Sequence, residues 1–151
     1  VMPAFARDDF PSFSLKDFRN FLIPNIASNL QQELAEKAKK ITVLRSKFIT
    51  KLEEIHNRLR TVLKIEKIGN KLHDLHLLTF EEFLKESSKR SSTKITLKEQ
   101  DEWEDYFDDY KNELCGLDEK IKSIEQKIDQ IVYKIYGLAK DEIETIENSL
   151  K

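Results

Sequence analysis

Ten apolar residues in the second half of the chain recur at alternating intervals of four and three: Trp103, Phe107, Tyr110, Leu114, Leu117, Ile121, Ile124, Ile128, Ile131 and Ile135. An α-helix turns once every 3.6 residues, so this spacing lays all ten along one side and leaves the intervening charges to water. A seam held over more than four heptads needs a partner helix of comparable length. The chain supplies one. Ile41, Phe48, Ile55 and Val62 recur every seven residues, and Leu52 and Leu59 fill the alternating column after Ala38 and the polar Arg45. The expected fold is mainly α: an antiparallel, coiled-coil-like hairpin of two long helices, with short additional helices and a short irregular or β-containing N-terminal segment.

Punctuation places the boundaries. Asn29 is the expected N-cap of the first long helix, which runs to about Lys67 before Gly69-Asn70 ends it. Thr79-Phe80-Glu81-Glu82 and Thr96-Leu97-Lys98-Glu99 are capping boxes, in which the threonine hydroxyl and the glutamate each serve an orphan backbone amide. The first opens a short helix with Phe80, Phe83 and Leu84 on its apolar face; the second opens the long seam. Ser87 to Thr93 reads as a polar, mobile loop. Gly116 interrupts the seam at a cost of about 1 kcal/mol relative to Ala. Gly137 ends it in a left-handed cap, and a last helix from about Lys140 to Leu150 carries Ile143, Ile146 and Leu150 on one face.

Residues 1–28 are different in kind. They hold all three prolines (Pro3, Pro11, Pro24) and Phe5, Phe10, Phe13, Phe18 and Phe21, and Phe21-Leu22-Ile23 suits a short edge strand. So many rings need something to pack on, which marks 1–28 as the irregular end of an upstream domain and 29–151 as the helical domain. The opening Val1 agrees with a piece of a longer protein.

The net charge of -2 points to no partner, but its distribution is uneven. The first long helix is rich in Lys and Arg, while Glu99, Asp101, Glu102, Glu104, Asp105, Asp108 and Asp109 open the second, so the two flanks are expected to pair. Lys37, Lys40, Lys47, Lys51 and Arg58 follow one flank of the first helix, a stripe suited either to a phosphate backbone or to the acidic helix and water. No Gly-rich phosphate loop and no His-Glu-x-x-His occurs. His73 and His76, beside Asp74, have the i, i+3 spacing of two metal ligands but no evident third; ordinary surface or core histidines are the favoured reading, as for His56. The single Cys115 excludes an internal disulfide and a multi-thiolate metal site, and it fits a reduced, cytoplasmic setting. Trp103, Tyr106, Phe107 and Tyr110 belong to core packing rather than base stacking. No apolar run is long enough for a membrane span. No catalytic, cofactor-binding or metal residue is therefore assigned.

Ile128-Asp129-Gln130-Ile131-Val132-Tyr133-Lys134-Ile135-Tyr136-Gly137-Leu138, followed by Asp141-Glu142-Ile143, resembles the closing signature of the large bacterial restriction–modification DNA methyltransferases. Phe80-Glu81-Glu82-Phe83-Leu84, Leu97-Lys98-Glu99-Gln100 and Glu102-Trp103-Glu104 through Tyr106-Phe107 resemble the same proteins. Phe10-Pro11-Ser12-Phe13-Ser14-Leu15 and Ile23-Pro24 resemble the end of their target-recognition domain. The resemblance implies a parent that methylates adenine at specific DNA sites with S-adenosylmethionine, with a fused endonuclease left open. Its methylation motif, of the Asn-Pro-Pro-Tyr type, is not in this chain. This part would help position the recognition domain on double-stranded DNA, attached to the upstream methyltransferase and recognition domains. Tyr133 and Tyr136 would be structural, burying against the hairpin and the last helix. Two departures matter: Ala139 stands where the family has a capping Thr, so the last helix is expected to fray, and Phe21-Leu22-Ile23-Pro24 lacks the usual Pro before the Ile. The alternative reading is a stand-alone coiled-coil interaction module that uses its seams to form a homodimer.

Overall fold

The computed structural model describes residues 25–93 and 95–149. The chain is mainly α, with no strand among the described residues. Helix α1 spans Ser28–Thr61 and helix α4 spans Leu97–Tyr136, with α2 (Asn70–His73), a 3-10 turn (Leu75–Leu77) and α3 (Phe80–Ser88) between them; α5 (Lys140–Ser149) follows. The expected edge strand at Phe21-Leu22-Ile23 lies outside the described residues, as does nearly all of the expected 1–28 segment.

The two long helices run antiparallel. Arg45 pairs with Glu125, Lys51 with Glu113, Glu54 with the Tyr110 hydroxyl, and Arg58 lies over the Tyr106 ring, so numbers rise along α1 as they fall along α4. At 1.5 Å rise per residue the 40 residues of α4 make a rod of about 60 Å.

The seam of α4 follows its heptads: Phe107, Leu114, Ile121 and Ile124 are buried and the other six are half-buried. That of α1 differs from the expected column. Leu30, Leu34, Lys37, Ile41, Leu44, Phe48, Lys51, Leu52, Ile55 and Leu59 turn inward, while Arg45 and Ala38 are exposed. Leu44 lies three residues past Ile41 and takes the place that heptad counting gave to Arg45. Val62 caps the end of α1, its N–H still bonded to the Arg58 carbonyl, and is 48% exposed because it faces Trp103 and Tyr106 across an open hollow.

That end is a correction to the expected Lys67. Leu63 and Ile65 are buried, and both cannot face the same core from a continuing helix. The chain turns between them through Lys64 in the left-handed region (φ 53°), and the Ile65 N–H donates to the Leu59 carbonyl at 3.2 Å. Gly69 has no part in stopping α1; it precedes α2 in extended conformation. At the other end Ala27, not Asn29, is the N-cap, and the Leu30 and Gln31 amides bond to its carbonyl.

The segment between the long helices builds the core. Leu63, Ile65, Ile68, Leu72, Leu75, Leu78 and Phe83 close over Ile55 and Leu59 of α1 and over Phe107 and Leu114 of α4. Phe83 lies 4.8 Å from Phe107 and 6.1 Å from Trp103, ring centre to ring centre. Carbonyls of this non-repetitive backbone need donors, and the long helices provide them. His56 Nε2 sits 2.9 Å from the Leu72 carbonyl, Lys111 Nζ donates to that of Leu78 at 2.7 Å, and Cys115 Sγ to that of His76 at 3.5 Å. The Ser87–Thr93 loop, expected to be mobile, is tied down: Ser87 is buried and the Ser91 hydroxyl donates to the Leu63 carbonyl at 2.6 Å.

Both capping boxes form. Thr79 and Thr96 accept from the Glu82 and Glu99 amides, and each glutamate reaches back to its threonine. Gly137 caps α4 at φ 63°. Ala139 cannot supply a hydroxyl, yet the Glu142 carboxylate still accepts from the Ala139 amide at 2.7 Å, and α5 begins at Lys140.

Candidate nucleic-acid interface

The five cations of the α1 stripe share a flank but meet different surroundings. Lys51 reaches across the seam to Glu113 at 2.8 Å and pairs along its own helix with Glu54 at 3.3 Å; these carboxylates, Glu113 first, hold its ammonium above the ordinary lysine range. Arg58 lies 5.2 Å from the centre of the Tyr106 ring, a cation–π position. Lys37 pairs with Glu33 at 3.1 Å. Lys40 and Lys47 make no ion pair among the described residues.

Lys47 and Lys51 line an open groove of about 580 Å³ along the seam, facing Asn112, Gly116 and Lys120 of α4. Gly116 widens it, since a Cβ there would meet nothing within 4 Å. A second hollow of about 380 Å³ continues in the same direction between Lys40 and Lys120, Ser123 and Lys127. Lys120 and Lys127 thus join the stripe from the opposite helix. In sequence they sit among acidic neighbours, and only the antiparallel pairing brings them beside Lys40 and Lys47.

The expected pairing of α1 with the acidic opening of α4 does not occur in that form. The interhelical ion pairs use Glu113 and Glu125, downstream of the acidic stretch. Asp101, Glu102, Glu104, Asp105, Asp108 and Asp109 are exposed and make no ion pair among the described residues, while Glu99 is occupied as a cap. Glu102 shares an open hollow with Arg58 and Val62 of α1 without pairing with the guanidinium.

The histidines go separate ways. His76 is buried edge-to-face with Phe48, ring centres 5.2 Å apart. His73 is exposed and its ring meets that of His56 at 4.9 Å. Burial holds the His56 imidazole below its ordinary pKa, against the opposing effect of the Leu72 carbonyl. Among the described residues no three His, Cys, Asp or Glu side chains cluster as a metal site. Trp103, Tyr106 and Tyr110 pack on the core beside Phe107, with Tyr106 and Tyr110 rings 4.7 Å apart. Tyr110 is held well above the ordinary tyrosine range, mainly by burial and then by Tyr106 and Glu54. Tyr133 is half-buried and raised by burial, with Asp129 and Glu147 adding to it, whereas Tyr136 is 50% exposed and does not bury as expected. No helix among the described residues is long and apolar enough to cross a membrane.

The family model of DUF8810, a domain of unknown function, matches residues 27–132. That span takes in α1 and the whole connection and ends near the last turn of α4. No curated protein and no solved structure matches the chain.

Proposed function

The chain belongs to the DUF8810 family, and we propose that it is the non-catalytic helical strut of a restriction–modification DNA methyltransferase, holding the target-recognition domain in position on double-stranded DNA. One observation carries this reading. Two of the stretches that resemble those enzymes, Phe80–Leu84 and Glu102–Phe107, meet in space as an aromatic brace between the connection and α4, and a third, Leu97–Gln100, forms the exposed first turn of the same helix. Phe83 packs at a tilt against Trp103 and Phe107 and Phe80 against Phe107, and Thr96 and Glu99 cap the start of the same helix. The resemblance thus falls on residues that make a stiff spacer, as a positioning role requires. Adenine chemistry and S-adenosylmethionine are assigned to the upstream part of the parent, and Lys40 and Lys47 are the stripe cations free to meet phosphates.

The test starts from the native polypeptide, captured from source cells with an antibody against α4 and assayed for methyl transfer from labelled S-adenosylmethionine to duplex DNA. A band several times heavier than 17.8 kDa that methylates adenine supports the reading. A 17.8 kDa band without transfer sinks it, and leaves a stand-alone coiled-coil module as the account.

A further inference from the structure

A second cationic surface lies at the end of the hairpin, away from the α1 flank. Between α1 and α2 the buried Ile65, Ile68 and Leu72 draw the backbone inward. The residues beside them, Lys64, Lys67 and Lys71, are exposed. The end of α3 brings Lys89 and Arg90 to the same place. A hollow of about 480 Å³ is lined by Lys67, Lys71, Lys89 and Arg90, and an adjoining one of about 400 Å³ by Lys64, Lys67, Lys89 and Arg90. Five cations there stand against two carboxylates, Glu66 and Glu86. Glu86 is taken by Lys89 at 2.7 Å and by Lys71 at 3.7 Å. Lys64, Lys67 and Arg90 make no ion pair among the described residues. This excess arises in a chain whose net charge is -2.

Arg90 is placed rather than loose. Its guanidinium lies across the backbone of Gly69, where a Cβ would stand 2.4 Å from Nε. Asn70 and Ser92 also line the hollows, and side chains of this kind donate to phosphate oxygens. No aromatic ring lines either hollow. Single strands are held by rings on which bases stack, so the chemistry fits a duplex, whose bases are already stacked and whose outer face is phosphate. The unpaired carboxylates of α4 line neither hollow and repel the same anion, which gives the contact an orientation.

We propose that Lys64, Lys67, Lys71, Lys89 and Arg90 form a sequence-independent clamp for the phosphate backbone of duplex DNA at the tip of the hairpin. The proposal rests on the reading that the chain works on DNA, and adds where it touches. The test is fluorescence anisotropy of the 151-residue chain with a labelled duplex, across salt from about 25 to 200 mM. Lys67→Glu with Arg90→Glu should lower the slope of log affinity against log salt by about 2 and weaken low-salt binding at least about tenfold. Lys67→Gln with Arg90→Gln should act in the same direction with circular dichroism unchanged, which separates lost charge from lost fold. Gly69→Ala, which displaces the guanidinium but keeps every charge, should weaken binding without lowering the slope by that amount. No duplex binding by the wild type, an unchanged slope in both double variants, or tighter binding to a single strand overturns the clamp. If Lys40→Glu with Lys47→Glu lowers the slope while the tip variants do not, the clamp fails and the DNA reading stands.

Discussion

Lys64 adopts a backbone conformation (φ 53°) that costs an L-residue with a Cβ about 1–2 kcal/mol. It does so because Leu63 and Ile65 on either side are both buried. Lys64→Gly should therefore stabilise the fold by up to about 1 kcal/mol in urea unfolding; a lower midpoint would show that the lysine side chain contributes more than its strain costs. His56 acts at the same scale through its proton. Its folded pKa is lowered by burial from 6.5, so above that value both folded and unfolded forms are neutral and the group adds no slope. Below it the unfolded chain takes up a proton that the native ring resists. Stability should fall as pH drops from about 7 towards 5, and His56→Gln should flatten that fall. An equal slope in the variant would place the proton uptake elsewhere.

At the scale of elements, the aromatic brace does most to fix the geometry. Phe83 is fully buried among Phe80, Trp103 and Phe107, so Phe83→Ala should cost about 3–5 kcal/mol in thermal or denaturant unfolding. Thr79→Ala and Thr96→Ala should each cost about 1 kcal/mol, since each removes one half of a working capping box; a loss of several kcal/mol would mean that the helix starts also hold the brace. The periodic and capped parts of this architecture are legible in sequence, because heptads, capping boxes and Gly137 are local patterns with one geometric solution. The end of α1 is not. Gly69 looks like its stop, but the stop is set by two core residues that bracket a lysine, and no local signal marks that. The acidic opening of α4 is legible as charge but not as pairing, since half a turn of helix separates a carboxylate on the seam from one in solvent. The tip cations come from separate segments, and their meeting depends on the packing of Ile65, Ile68 and Leu72. Lys120 and Lys127 likewise become neighbours of Lys40 and Lys47 only through register.

Across the whole molecule, burial is graded. The core closes around Ile55, Leu59, Phe107 and Leu114, whereas Leu34, Ile41 and Leu44 of α1 and Ile128, Ile131 and Ile135 of α4 are only half-buried. Local opening follows such gradients. Amides at 28–44 and 125–136 should exchange faster with solvent deuterium than those at 52–60 and 104–118, and uniform protection along the rod would contradict this picture. The rod is therefore firm where the connection wraps it and looser towards Gly137. Cys115 sits at the boundary of the firm part, half-buried, with its thiol against the His76 carbonyl. Being the sole cysteine, it gives the molecule a built-in chemical reporter: the rate at which an alkylating reagent consumes it should rise in any variant that loosens the connection from α4.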